Sequence, residues 1–236
     1  MINIKRILPL LLIGAIFFTK SVFSQKINQF NANGKRTGVW KKLYKNGEIR
    51  YQGQFKNGKE VGVFKFYSIT SSSQPVIIKE FSETSDKALV SFYTSLGKLK
   101  SKGSMIGKNR VGKWLYYYPN GKVISEENYV DGKLDGVLKN YYGNGKTTEE
   151  TYYKQGKKDG VSKIYTEDGI LIEELSYVGG KLNGVGKYFD LKGNLKEKGM
   201  YKDGKRAGEW EFYIDGVLVT DKEEKRKTKK LGRFKK

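Results

Sequence analysis

Five lysines stand at one place in a recurring pattern. Lys41, Lys65, Lys139, Lys163 and Lys187 each lie three residues after the second glycine of a Gly-Lys-x-x-Gly segment. Lys59, Lys133, Lys157, Lys181 and Lys205 form a second series, each directly after the first glycine. Repeated ammonium groups can form a footprint for a polyanion or an anionic membrane surface. They can equally be a solvated face that keeps strand edges apart. Glu126, Glu150 and Glu174 also recur, 24 residues apart. Carboxylate pairs do acid–base work when they flank a cleft at about 5–10 Å. Beside so many lysines, these three read instead as charge partners. The chain has no His and no Cys. That removes histidine-based acid–base catalysis, Ser-His-Asp triads and histidine metal sites. The expectation is no enzyme activity, no catalytic or metal-ligating residue and no cofactor.

The chain has 236 residues and a formal charge of +21, with 37% hydrophobic residues but 14% aromatics and 29 glycines. A disordered chain would be poor in aromatics. Many short strands and tight turns fit this composition better. Residues 1–24 have the form of a secretory signal peptide: Lys5 and Arg6, an apolar run from Ile7 to Phe18, then cleavage after Ser24. An uncleaved anchor is the other reading, although a membrane-spanning helix takes about 20 apolar residues. The expected location is therefore export: periplasmic, associated with the outer envelope, or secreted. Residues 25–33 form an N-terminal cap segment, and 220–236 a basic flexible tail with nine Lys/Arg against three Asp/Glu.

The glycines that close the motif fall at Gly38, Gly62, Gly112, Gly136, Gly160, Gly184 and Gly208. The steps are 24 residues except one of 50, read as a worn unit near 68–95 with two extra residues around "SSSQP". Gly97, Gly103 and Met105 still match Gly47, Gly53 and Phe55. Each unit holds two turn signals, such as Asn46-Gly47 and Asn57-Gly58. Asn-Gly and Asp-Gly favour type I′ hairpins, which need positive φ at both central residues. Pro75 and Pro119 are placed at turns. Trp40, Trp114 and Trp210 occupy the second position of the strand that follows the glycine. Residues 34–219 are thus expected to be all-β: an elongated single-layer antiparallel sheet of about eight tandem hairpins, period 24, with aromatics in columns rather than one globular core. Such an array is roughly 75–80 Å long and is stabilised by neighbour contacts.

The stretch "YQGQFKNGKEVGVF" resembles the MORN repeat, and more closely the longer MORN-variant repeats of bacteria, some of them antitoxin-like. The matching positions are Tyr51, Gly53, Phe55, Asn57, Gly58, Lys59 and Gly62, repeated by Gly199, Tyr201, Asp203, Gly204, Lys205 and Gly208. The resemblance implies a hairpin array with a non-enzymatic role in protein or lipid association, and no catalytic residues. The function expected is an exported protein-interaction scaffold. The alternative is a peripheral binder of anionic lipid or envelope polysaccharide through the basic face; an antitoxin-like role stands behind both. Aromatics interleaved with lysines could stack bases, but export argues against nucleic acid.

Overall fold

The computed structural model describes residues 26–82 and 84–219. The leader with its Ser24 cleavage site and the basic tail 220–236 lie outside the described residues. Eighteen strands account for nearly all of the rest. They are β1 (Gln29–Phe30), β2 (Arg36–Leu43), β3 (Ile49–Lys56), β4 (Lys59–Ser68), β5 (Ser71–Phe81), β6 (Lys87–Tyr93), β7 (Leu99–Ile106), β8 (Asn109–Tyr117) and β9 (Val123–Val130). Then follow β10 (Lys133–Leu134), β11 (Gly136–Tyr141), β12 (Thr147–Lys154), β13 (Lys157–Tyr165), β14 (Leu171–Val178), β15 (Lys181–Phe189), β16 (Leu195–Lys202), β17 (Lys205–Ile214) and β18 (Val217–Val219). Each pairs antiparallel with the next in one open meander, except that β10 and β11 both pair with β9 rather than with each other. The described residues contain no helix.

The two edges of the sheet use different turns. At one edge Asn57, Asp131, Gln155 and Asp203 have φ of 48–52°, each followed by a glycine with positive φ; Asp215-Gly216, between β17 and β18, has the same geometry at the opposite edge. These are the type I′ turns expected. At the other edge Asn46-Gly47, Asn120-Gly121, Asn144-Gly145 and Asp168-Gly169 are not type I′, because only the glycine has positive φ. Gly47 N donates to Tyr44 O at 3.1 Å, and Tyr44 N to Glu48 O at 2.8 Å. That is a type I turn followed by a bulge glycine, the usual three-residue hairpin loop. Asn-Gly serves both, and loop length decides which is formed.

The worn unit is a hairpin, β5–β6, in the same sheet. Seven residues, 68–74, lie between the paired Tyr67 and Pro75, against five, 118–122, between Tyr117 and Val123. Pro75 therefore sits within β5 at a pairing irregularity rather than in a turn. Ala88 pairs with Met105 as Gly112 pairs with Tyr129. The bulge that accompanies Gly62 and Gly112, where φ is 64–65°, is absent between β5 and β6. Alanine resists the left-handed conformation, and the register there runs unbroken.

One face, here the front, carries Trp40, Phe64, Val90, Trp114, Leu138, Ser162, Gly186 and Trp210 at one position of β2, β4, β6, β8, β11, β13, β15 and β17. Phe64, Val90 and Trp114 have no solvent exposure. A flat single layer leaves side chains open to water. Full burial here comes from neighbours leaning over the row, such as Phe92, Met105, Tyr116 and Tyr129 around Trp114. The bulges opposite Gly53 and Gly103 add local bend and twist.

Candidate binding surface

Strand alternation sends Lys41, Lys65, Lys139, Lys163 and Lys187 to the back face, in one continuous row. Across the N-terminal half, cross-strand partners read Lys41, Gln52, Lys65, Ile78, Ser91 and Lys102. This half of the row has three cations and no anion. Across the rest, the row reads Leu115, Glu126, Lys139, Glu150, Lys163, Glu174, Lys187, Lys198 and Glu211. Here four lysines meet four glutamates. Lys139 lies 3.0 Å from Glu150, Lys163 3.7 Å and Lys187 2.8 Å from Glu174, and Lys198 3.1 Å from Glu211. Lys113, from the adjoining row, reaches Glu126 at 2.8 Å. The lysine hydrogen bonds hold the Glu126 and Glu174 carboxyls below their ordinary range. Hydrogen bonding to Glu126 raises Lys113, and hydrogen bonding to Glu150 raises Lys139.

The five lysines are therefore not equivalent. Lys139, Lys163 and Lys187 have side chains only 39–40% exposed and are neutralised within the sheet. The sequence reading treated the column as one solvated or anion-binding face; Glu126, Glu150 and Glu174 partner its C-terminal half, while Lys41 is half-buried and Lys65 exposed. No ion pair joins Lys41 or Lys65 among the described residues. Between these two, Gln52 donates from Nε2 to Tyr67 Oη at 3.0 Å.

The second series, Lys59, Lys133, Lys157, Lys181 and Lys205, lies elsewhere: along the edge made by the type I′ turns, all exposed. Three of them face another lysine across the turn, Lys56, Lys154 and Lys202. Turns at this edge are stitched to their neighbours, with Gly58 N, Gly132 N and Gly156 N donating to the Arg36, Arg110 and Leu134 carbonyls, respectively, in adjacent units at 2.7–2.9 Å. At the opposite edge the Tyr44, Tyr118 and Tyr142 hydroxyls donate to carbonyls 23 residues on, at 2.8–2.9 Å.

The motif glycines Gly38, Gly62, Gly112, Gly136, Gly160, Gly184 and Gly208 all have positive φ. Trp40, Trp114 and Trp210 each stack beneath an arginine four residues earlier: Arg36 at 5.4 Å, Arg110 at 4.6 Å and Arg206 at 3.9 Å from the ring centroid. The sequence reading passed over these arginines, although Arg-x-Gly-x-Trp is written three times. Arg110 also donates to the Tyr116 and Tyr129 hydroxyls at 2.6 and 3.1 Å, and burial raises both phenols.

Beside the charged row on the back face runs a mixed one, in which exposed apolar residues alternate with polar ones such as Glu80 and Ser104. Val63, Leu89, Val185 and Met200 are 43–48% exposed.

A family model described as the MORN repeat variant matches residues 36–57, 110–131, 134–155, 158–178 and 182–203. These five units are MORN repeats. The match 36–57 runs from the first residue of β2 to the turn residue Asn57, so one MORN repeat here is one hairpin closed by the bulge-glycine loop. The units between 57 and 110 continue the same meander outside those matches. MORN repeats commonly bind proteins or membranes and are generally non-catalytic. No curated protein matches the chain.

Proposed function

We propose that this is an exported, non-enzymatic scaffold that holds a protein partner in the cell envelope or outside the cell. The observation that carries the reading is the set of exposed apolar side chains, Val63, Leu89, Val185 and Met200, beside the charged row of the back face. Val185 pairs directly with Met200, and Val63 and Leu89 flank Glu80; exposed apolar side chains set among polar ones are the composition of an association surface. The leader reading supplies the location. The test is capture from native envelope at rising salt. A protein partner retained at about 0.5 M salt supports the scaffold, because exposed charge contacts are screened there. Capture of anionic polymer alone, lost as salt rises, refutes it.

A second reading is peripheral attachment to anionic lipid or envelope polysaccharide. The exposed lysines of the type I′ edge favour it: Lys59, Lys133, Lys157, Lys181 and Lys205. Changing all five to Gln is then expected to weaken adsorption to anionic vesicles by about tenfold or more, or about 1.4 kcal/mol. A variant lacking 222–236 separates the edge from the tail.

A further inference from the structure

The charged row contains one arrangement three times, twice with a glutamate between two lysines, at Glu150 and Glu174, and once with that carboxylate missing. In the C-terminal half Glu174 lies between Lys163 and Lys187, paired across strands with both. Its carboxylate oxygens stand 3.7 and 2.8 Å from the two ammonium groups. In the N-terminal half Gln52 has the same register between Lys41 and Lys65. An amide there leaves two lysines, about two strand spacings or 10 Å apart, without the carboxylate their counterparts share. Over them lies a groove of about 320 Å³ walled by Ile27, Val39 and Val63 as well as Lys41, Gln52 and Lys65. Ile27 and Val63 are 47% and 48% exposed.

We propose that Lys41 and Lys65 receive a carboxylate from an acidic residue of a protein partner, in the place that Glu174 fills internally. The occupant is an extended segment with an Asp or Glu next to aliphatic residues. The carboxylate meets the lysines, and the aliphatic groups meet Ile27, Val39 and Val63. The internal counterpart is itself a side chain on a β-strand, which favours a peptide over a lipid headgroup. A membrane surface would also engage cations spread over the whole row, and the C-terminal half of the row is already neutral. Such a contact contributes orientation and discrimination more than bulk affinity. The inference rests on the scaffold reading and gives it a partner chemistry.

The probe is a labelled peptide copying Leu171–Val178, with a counterpart carrying Gln at the position of Glu174. The protein as exported is expected to bind the acidic peptide about tenfold more tightly than its counterpart. Gln52→Glu supplies the missing carboxylate from within and removes that preference. A chain carrying both Lys41→Gln and Lys65→Gln removes it too, without adding a charge to the fold. Glu174→Gln opens a second site and raises the stoichiometry from one to two. Equal binding of the two peptides by the parent, or an undiminished preference in Gln52→Glu and the double lysine variant, overturns the site. Native capture at high salt judges the scaffold separately: a chain that keeps its partner but fails this discrimination keeps that reading and loses this one.

Discussion

At Gly103 the place of a side chain is taken by Trp114. A Cβ built there would sit 2.3 Å from the indole, and the same holds at Gly199 with Trp210 and, at 2.4 Å, at Gly53 with Phe64. Gly103→Ala is therefore expected to cost about 1–3 kcal/mol through overpacking, read from urea unfolding. Gly143→Ala, with open space around it, is expected to stay within about 0.5 kcal/mol of the parent. Two neighbouring glutamates give a pH prediction of opposite signs. Glu174 faces the back and is held low by its Lys187 hydrogen bond. Its contribution is present above the unfolded-state pKa of about 4.3 and is lost as pH falls through the folded value. Glu173 faces the front, and burial pushes it up. Its charged form is disfavoured in the folded state, so that cost is present at pH 7 and disappears on acidification. Glu173→Gln is expected to raise the urea midpoint at pH 7 and Glu174→Gln to lower it, with both differences vanishing once pH is below both folded pKa values. Equal shifts of one sign would contradict the assignment.

Among elements, the type I′ turns and the bulges set how one hairpin meets the next. Gln155 holds a φ of 50° in a position where its counterparts are Asn57, Asp131 and Asp203. Asparagine tolerates that conformation better than glutamine. Gln155→Asn is expected to raise stability by about 0.5 kcal/mol, at the scale of single-turn optimisation, even though the 3.5 Å contact of Gln155 with Asp135 is given up. Gly62→Ala works the other way, because φ there is 64°; about 1–2 kcal/mol is expected to be lost. Thermal melts of the two variants check both signs. The β5–β6 hairpin shows the alternative solution: with Ala88 at the glycine position, the strand keeps regular pairing and gives up the bulge.

On the scale of the molecule, each hairpin touches only its neighbours, and there is no single core to collapse. Stability is then a sum of unit and interface terms. The stitched turns at both edges add couplings between units. Removing residues 190–236 takes away β16 to β18 and leaves β2 to β15 with their pairings intact. The expected outcome is a folded, less stable chain whose far-UV spectrum is still that of a sheet, with peptide discrimination at Lys41 and Lys65 unchanged. Global unfolding on this truncation would refute the modular account.

The sequence by itself determined the unit, its 24-residue period, the hairpin pairing and the position of the two extra residues, because Gly, Asn and Asp act locally through backbone φ. It also paired Glu126, Glu150 and Glu174 with lysines in outline, since a period of two on strands of fixed register places them in one row. Tertiary structure decided what local pattern cannot encode. Which Asn-Gly makes a two-residue turn depends on where the strands on either side find their register. Whether Lys41 and Lys163 differ depends on Gln52 and Glu174, eleven residues further on and one strand away. The front row likewise alternates its bulk only through cross-strand contact: Trp114 over Gly103, Thr151 hydrogen-bonded to Ser162 at 2.7 Å, Leu175 against Gly186. Packing fills the volume shared by two strands, and that volume belongs to neither strand's sequence alone.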